Sequence, residues 1–377
     1  MRDPDLAPAL VRAALELGFC RAGVTSACAF EPGRARLAHW LEAGHHGSLE
    51  YMAGEDRADP RALLPAARSM IVVALSTPSP VPSPVSPEPR GRVASYARGS
   101  DYHRVMKDKL GVLAARAEEL AGRKVESRIA VDTAPLLERD AAVRAGLGFI
   151  CKSMMLIVPG VGTNVVLGEL LLDLELVPSA PAVGSCGECR ACLDACPTQA
   201  FAAPFVLDAR RCISFLSIEH HGVIPLELRP AVGTRVFGCD ECQAVCPYDA
   251  SASPRAHAPE LAGRIPEPGL DLAELLCMGN AGYRKLVKRT ALRRVSRDVL
   301  ARNAAVAMGN AGDRRFAAEL EQALDEHPSP LVRAHAAWAL GQYGAESRAR
   351  LERALAADPD ESVREEARAA LAALDGD

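Results

Sequence analysis

The sequence predicts an α+β chain in three parts, and three observations carry the division. Strand and helix patterns alternate over 1–178, cysteines crowd into 179–260, and an alanine-rich helical segment repeats itself over 261–377. In the first part Leu6–Gly18 has helical periodicity, Ala35–Ala43 reads as a second short helix, and Met70–Leu75 is an unbroken apolar run, the pattern of a buried strand. Six prolines between Pro78 and Pro89 then mark an extended surface connector. Asp101–Ala121 is a long amphipathic helix, Arg128–Val131 a strand, and Leu136–Ala145 a helix stopped by Gly146-Leu-Gly148. Leu156–Val158 and Val165–Leu172 complete the strands, so the first part is an α/β sheet with helices packed on it.

The second part carries the most specific signal. Eight of the twelve cysteines run as Cys186-x2-Cys189-x2-Cys192-x3-Cys196-Pro197, Cys212, and Cys239-x2-Cys242-x3-Cys246-Pro247. Two 4Fe-4S clusters need eight thiolates, and the window holds eight. In two-cluster ferredoxins the fourth cysteine of such a run ligates the other cluster. Cys186, Cys189, Cys192 and Cys246 are therefore assigned to one cluster, and Cys196, Cys212, Cys239 and Cys242 to the second. Zinc and a disulfide framework are the competing readings. Zinc ribbons rarely use Cys-x3-Cys-Pro in both halves, and the N-terminus shows neither a basic-then-apolar signal nor a twin arginine, so a cytoplasmic, reducing location is expected. Cys20, Cys28, Cys151 and Cys277 fit buried or incidental thiols better than ligands.

Length and composition suit a soluble enzyme: 377 residues, 49% of them hydrophobic, can build two or three cores. No apolar run approaches the ~18 residues that span a bilayer, so no membrane association is expected. A net charge of −4 conceals one basic stretch. Between Tyr283 and Arg302 eight cations (Arg284, Lys285, Lys288, Arg289, Arg293, Arg294, Arg297, Arg302) face Asp298 alone.

In the third part Leu300-Ala-Arg302…Gly309 lines up with Leu331-Val-Arg333…Gly341 and then with Ser362-Val-Arg364…Ala372, at offsets of 31–32 residues. Each copy reads as a helix pair that buries its apolar face only by stacking, as in HEAT-like solenoids. The repeats either cap the chain or offer a binding surface. The basic stretch at their entrance favours a surface that tracks phosphates, with Arg284, Lys285, Lys288, Arg289, Arg293, Arg294 and Arg297 as its contacts.

A wider set of motifs carries a resemblance. Ala94-Ser-Tyr-Ala-Arg-Gly99-x-Asp-Tyr-His103, Val131-Asp-Thr-x-Pro135, Gly146-Leu-Gly-Phe-Ile150, Leu167-Gly-Glu-Leu170, the eight cysteines, Asp208-Ala-Arg-Arg-Cys-Ile-Ser214 and Arg302-Asn-Ala-x-Val-Ala-x-Gly-Asn310 together resemble the epoxyqueuosine reductase family over nearly the whole chain. The resemblance implies an N-terminal cobalamin-binding catalytic domain, a ferredoxin-like domain with two 4Fe-4S clusters and a HEAT-like, tRNA-binding tail. It also implies reduction of epoxyqueuosine to queuosine at the wobble position of tRNA. An external low-potential donor of the flavodoxin or ferredoxin type and a monomeric state are the accompanying expectations.

The resemblance makes Asp132 the proton donor. It places Arg57, Tyr102, His103, Asp132, Lys152 and Ser214 around the cobalamin. To donate near neutral pH, Asp132 would need its pKa raised by burial against the apolar cofactor face. Read from its neighbours alone, Asp132 before Thr133-Ala-Pro135 equally suits the N-cap of the following helix, and His103 at a helix start equally suits a structural role. Relatives usually read Gly-Leu-Gly-Trp-Ile-Gly-Lys-Asn where this chain has Gly146-Leu-Gly-Phe-Ile-Cys151-Lys152-Ser153, followed by Met154, which implies altered packing beside the cofactor. Two other function classes compete: a corrinoid and iron–sulfur reductase of a small substrate, and an iron–sulfur electron-transfer module.

Overall fold

The computed structural model describes residues 4–54, 56–78, 88–250, 258–261, 263–266 and 268–376. The proline-rich connector falls mostly outside the described residues. The chain forms two compact units: Met1–Val81, Gly99–Arg210 and Asp240–Gly263 make the first, and Pro82–Arg98, Arg211–Cys239 and Arg264–Asp377 the second. Part of the cysteine window, Arg211–Cys239, thus folds with the helical tail. Among the described residues no helix is long and apolar enough to cross a membrane.

The first unit is built on a four-stranded sheet in the order Arg21–Ser26, Ser69–Ser76, Val165–Leu172, Ser127–Ala130. All three pairings are antiparallel, with Ile71 opposite Leu170 and Leu170 opposite Ile129. The alternation of strands and helices along the chain therefore does not reflect the parallel crossovers of a doubly wound α/β sheet. Helices nevertheless cover both faces, so Met70–Ala74 is wholly buried and reads as a continuous apolar run. Arg21–Ser26, at the sheet edge, has too little apolar alternation to announce itself. Gly23 is required there, because a Cβ would lie 2.0 Å from the Ala145 carbonyl oxygen.

The long helix runs Tyr102–Ala121, as its pattern predicts. Asp101 caps it by accepting the His103 N–H at 3.1 Å, and Gly122 ends it in the left-handed conformation, φ +61°. Met106, Leu110, Leu113 and Ala117 form its buried stripe. Gly168 on the neighbouring strand lets Met106 and Leu110 approach, since a Cβ would meet the Met106 terminal methyl at 2.6 Å. Leu156–Ile157 leaves the main sheet and pairs with Phe149–Ile150 instead. Two other boundaries move: the second helix begins at Glu31, with a proline in its first turn, and the helix expected from Leu136 begins at Glu138.

The second unit stacks Arg297–Ala311, Pro330–Gly341 and Glu361–Gly376 as the inner helices of the three repeats, with Ala317–Glu326 and Arg348–Ala357 outside them. Alanines at 301, 304, 305, 307, 334, 336, 337 and 339 are buried at the seam. Gly309 is needed where Trp338 crosses, 2.7 Å from the position of a Cβ. Arg302 corrects the charge count of the basic stretch: it is wholly buried, and its guanidinium donates to the carbonyls of Leu216, His220 and Gly222. Beside it Asn303 donates to the carbonyls of Ser217 and Val236. Arg229, also buried, grips Glu366 with two nitrogens and lies over the Trp338 ring. These arginines tie the repeats to Arg211–Cys239, and their charge never reaches solvent.

Candidate functional site

Strand Ser127–Ala130 ends in a tight turn around Asp132. The Thr133 N–H donates to the Val131 carbonyl at 2.5 Å, and Asp132 sits at φ +48°. A non-glycine residue held there costs roughly 1–3 kcal/mol and persists only where its surroundings impose it. Two contacts do so. Asp132 Oδ2 lies 3.0 Å from His103 Nε2, and the Asp132 N–H donates to Glu138 Oε1 at 2.6 Å. His103 Nδ1 in turn lies 2.7 Å from Asp101 Oδ1, and the Tyr102 ring stacks on the imidazole with centroids 4.0 Å apart.

The imidazole is thus bracketed by two carboxylates. Burial alone would lower its pKa, but the hydrogen bonds and charges of Asp101 and Asp132 outweigh burial and lift it to about 9. At neutral pH His103 is an imidazolium bonded to Asp132. The proton expected on an Asp132 buried against an apolar face therefore resides, in this structure, on its partner. Asp132 does not cap the following helix, whose N-cap position is Leu137 with no side-chain cap.

Behind Asp132 lie two carboxyls to which the sequence pattern assigns no role, although Glu169 falls within the Leu167-Gly-Glu-Leu170 motif. Glu138 opens the helix Glu138–Arg144; burial and then the charge of Asp132 push its pKa up. Glu169, opposite Ala130 and Val72 in the sheet, is wholly buried, and neither carboxyl oxygen has a hydrogen-bond partner among the described residues. Burial, followed by the charge of Glu138, drives it well above the usual carboxylate range. A lone acid inside the apolar strand Val165–Leu172 is the signal that could have found it.

Arg57 belongs to the same end of the sheet, since its carbonyl accepts the Leu137 N–H at 3.0 Å. Its guanidinium donates to the Tyr51 carbonyl and lies 5.3 Å from the Tyr51 ring centroid, while Nε is buried with no partner among the described residues.

Helix Glu138–Arg144 also leads to the cysteines. Arg139 donates to the Met154 carbonyl at 2.5 Å, holding the segment Cys151–Met155. Cys151 and Ser153 line a cavity of about 140 Å³ together with Cys186, Cys189, Cys192, Cys242 and Cys246. A mononuclear zinc site would draw its sulfurs to ~2.3 Å from one point; thiols spread around a cavity suit a cluster. Lys152 donates to the carbonyls of Gly187 and Cys189 at 2.6 and 2.9 Å, which fixes the first cysteine loop and leaves one of its three donors. Cys151 is buried as expected, but it is not incidental: its Sγ lies 3.1 Å from Ser153 Oγ, and Ser153 hydrogen-bonds Cys192. Cys196 accepts the Ala200 N–H in the same unit. Cys212, Ser214 and Cys239 belong to the second unit.

Arg284, Lys285, Lys288, Arg289 and Arg293 are exposed and make no ion pair among the described residues. Arg294 pairs with Glu219, and the half-buried Arg297 with Asp298.

The matching family models are a 4Fe-4S double cluster binding domain over 185–249, epoxyqueuosine reductase QueG, DUF1730, over 57–133, and HEAT repeats over 289–372. The chain is 40% identical to the epoxyqueuosine reductase of Alicycliphilus denitrificans, covering 90% of this chain and 98% of that one. It is also similar to a crystal structure of epoxyqueuosine reductase with an epoxyqueuosine-modified tRNA-Tyr stem loop, with TM-score 0.90, 31% identity and coverage of 98% and 99%. A Bacillus subtilis epoxyqueuosine reductase, whose aspartate-bearing catalytic loop is swung out of the active site, matches with TM-score 0.88, 32% identity and the same coverage. On identity and coverage of this extent, the chain belongs to the epoxyqueuosine reductase family.

Proposed function

We propose that this chain reduces epoxyqueuosine in tRNA to queuosine. Both C–O bonds of the epoxide break, a C=C bond forms, and the oxygen leaves as water, so each turnover takes up two electrons and two protons. Side chains hold protons but supply no electrons, which makes redox groups necessary. Cys186, Cys189, Cys192 and Cys246 hold one 4Fe-4S cluster and Cys196, Cys212, Cys239 and Cys242 the other, a reading supported by the ferredoxin-like spacing and by the cavity that the first four share with Cys242.

Cobalamin, when bound, supplies the reducing centre at the epoxide. The residues at the sheet end fit such a group, because Arg57 keeps a buried Nε without a partner among the described residues, suited to an amide or phosphate oxygen. Tyr102, His103, Asp132, Lys152 and Ser214 are its other proposed contacts. Lys152 makes them with the donor that the cysteine loop leaves free.

The observation that carries the reading is the His103–Asp132 pair. His103 holds a proton at neutral pH, and Asp132 passes it to the departing oxygen. The exposed cations Arg284, Lys285, Lys288, Arg289 and Arg293, with Arg294 and Arg297, meet the tRNA phosphates. Mass spectrometry of nucleosides, after incubation of epoxyqueuosine-containing tRNA with protein, cobalamin and a strong reductant, tests the reading. Queuosine is the expected product, and unchanged epoxyqueuosine overturns the proposal.

A further inference from the structure

Asp132 is held from two sides in a conformation it would not choose. On the side-chain side stands His103, 3.0 Å away; on the backbone side stands Glu138, whose Oε1 accepts the Asp132 N–H at 2.6 Å. The positive φ of Asp132 and the three-residue turn closed by the Thr133 N–H are offset only by contacts such as these. We propose that Glu138 is a positioning residue, the latch that keeps the Asp132 turn closed on His103.

The latch is itself well anchored. Glu138 is the first residue of a helix whose backbone is pinned at one end by Arg57, whose carbonyl accepts the Leu137 N–H, and whose next residue, Arg139, holds Met154. Asp132, Arg139, His103 and Glu169 are the charged or titratable groups that act on it. Glu169, buried nearby without a hydrogen-bond partner among the described residues, makes no hydrogen bond to Glu138, whose Oε1 serves the Asp132 N–H. Glu138 thus directs its acceptor to the Asp132 N–H. In the Bacillus subtilis relative the aspartate-bearing catalytic loop is found swung out of the active site, an open state of the kind that a latch on the Asp132 turn would oppose.

His103 reports the state of the latch without any cofactor, because its pKa of about 9 depends on Asp132. A ¹⁵N-histidine NMR titration of the full chain, with the His103 signal assigned through His103→Gln, reads it directly. Asp132→Asn gives the midpoint expected when the Asp132 carboxylate no longer faces the imidazole. Glu138→Ala removes the acceptor, while Glu138→Asp keeps the charge but falls one methylene short; both should lower the His103 midpoint by about one unit, toward that benchmark. Glu138→Gln keeps the acceptor without the charge and should stay near wild type. Turnover should fall on the order of tenfold in the first two variants, with KM for tRNA unchanged, and recover in the third.

A wild-type midpoint in both Glu138→Ala and Glu138→Asp overturns the latch. So does a Glu138→Gln midpoint as low as that of Glu138→Ala, which would make the effect one of charge alone. A lost turnover with an unmoved midpoint overturns it as well. The consequence for turnover rests on Asp132 being the proton donor. A lowered midpoint with full turnover would leave the latch standing and remove Asp132 from the chemistry.

Discussion

Asp132 Oδ2 and His103 Nε2 stand 3.0 Å apart, one at the end of a strand and the other in the first turn of the long helix, with Asp101 closing the array on the far nitrogen. The pair stores a proton where a carboxyl alone at neutral pH would have lost its own. Asp132→Asn keeps the shape but can no longer pass that proton on, so single-turnover formation of queuosine should slow by about 10²–10⁴-fold. Corrin absorbance of the purified protein should be unchanged. Wild-type turnover in this variant would remove Asp132 from the mechanism.

The same pair makes stability depend on pH in a definite direction. The folded pKa of His103, about 9, lies above its unfolded value near 6.5, so the contribution is fully present below about pH 6.5 and is lost as pH rises through 9. Its size is on the order of 3 kcal/mol. Thermal midpoints should therefore decline between pH 7 and 9.5 in the wild type and decline less in Asp101→Asn or Asp132→Asn. Parallel slopes in all three proteins would refute the assignment.

Much of this site is legible in the sequence because it is local. The cysteine spacings are short-range, and five of the eight thiols line one cavity. The 31–32-residue repeat likewise declares stacked helices. Asp132 and His103 lie 29 residues apart and are linked in sequence only through family resemblance; their contact depends on how a strand end meets a helix start. Glu138 leaves no mark in the sequence pattern because burial, not residue type, makes it unusual, whereas Glu169 shows only as a lone acid in an apolar strand, with no role attached. Arg302 counts as surface charge in the sequence for the converse reason: a sum over residues cannot see that a guanidinium is enclosed by three carbonyls.

Cys151 and Ser153 bear on the cluster beside them. The Ser153 hydroxyl hydrogen-bonds Cys192, and Cys151 Sγ lies 3.1 Å from that hydroxyl. Hydrogen bonds to cluster sulfur favour the reduced, more negative state and raise the potential. Removing one with Ser153→Ala should disfavour reduction about tenfold, a fall of ~59 mV for a one-electron couple. EPR-monitored potentiometry should show one cluster shifted and the other unmoved, with a smaller shift in Cys151→Ala. Unchanged potentials in both variants would show that the two side chains only fill space.

The basic stretch contains cations of two kinds, and substitution should separate them. Lys288, Arg289 and Arg293 are exposed and make no ion pair among the described residues, so changing all three to Glu should leave the fold intact. Every phosphate that a cation no longer neutralises takes about 0.7–0.9 from the slope of log affinity against log salt. The triple variant should therefore flatten tRNA binding by roughly two units of slope, measurable by filter binding at graded salt concentrations. Arg302→Met should behave in the opposite way: it leaves three carbonyls unpaired in the core of the repeats and lowers stability by about 3 kcal/mol or more. The fraction that remains folded should bind tRNA with an unaltered salt slope. A steep slope retained by the triple variant would return the stretch to ordinary solvated surface.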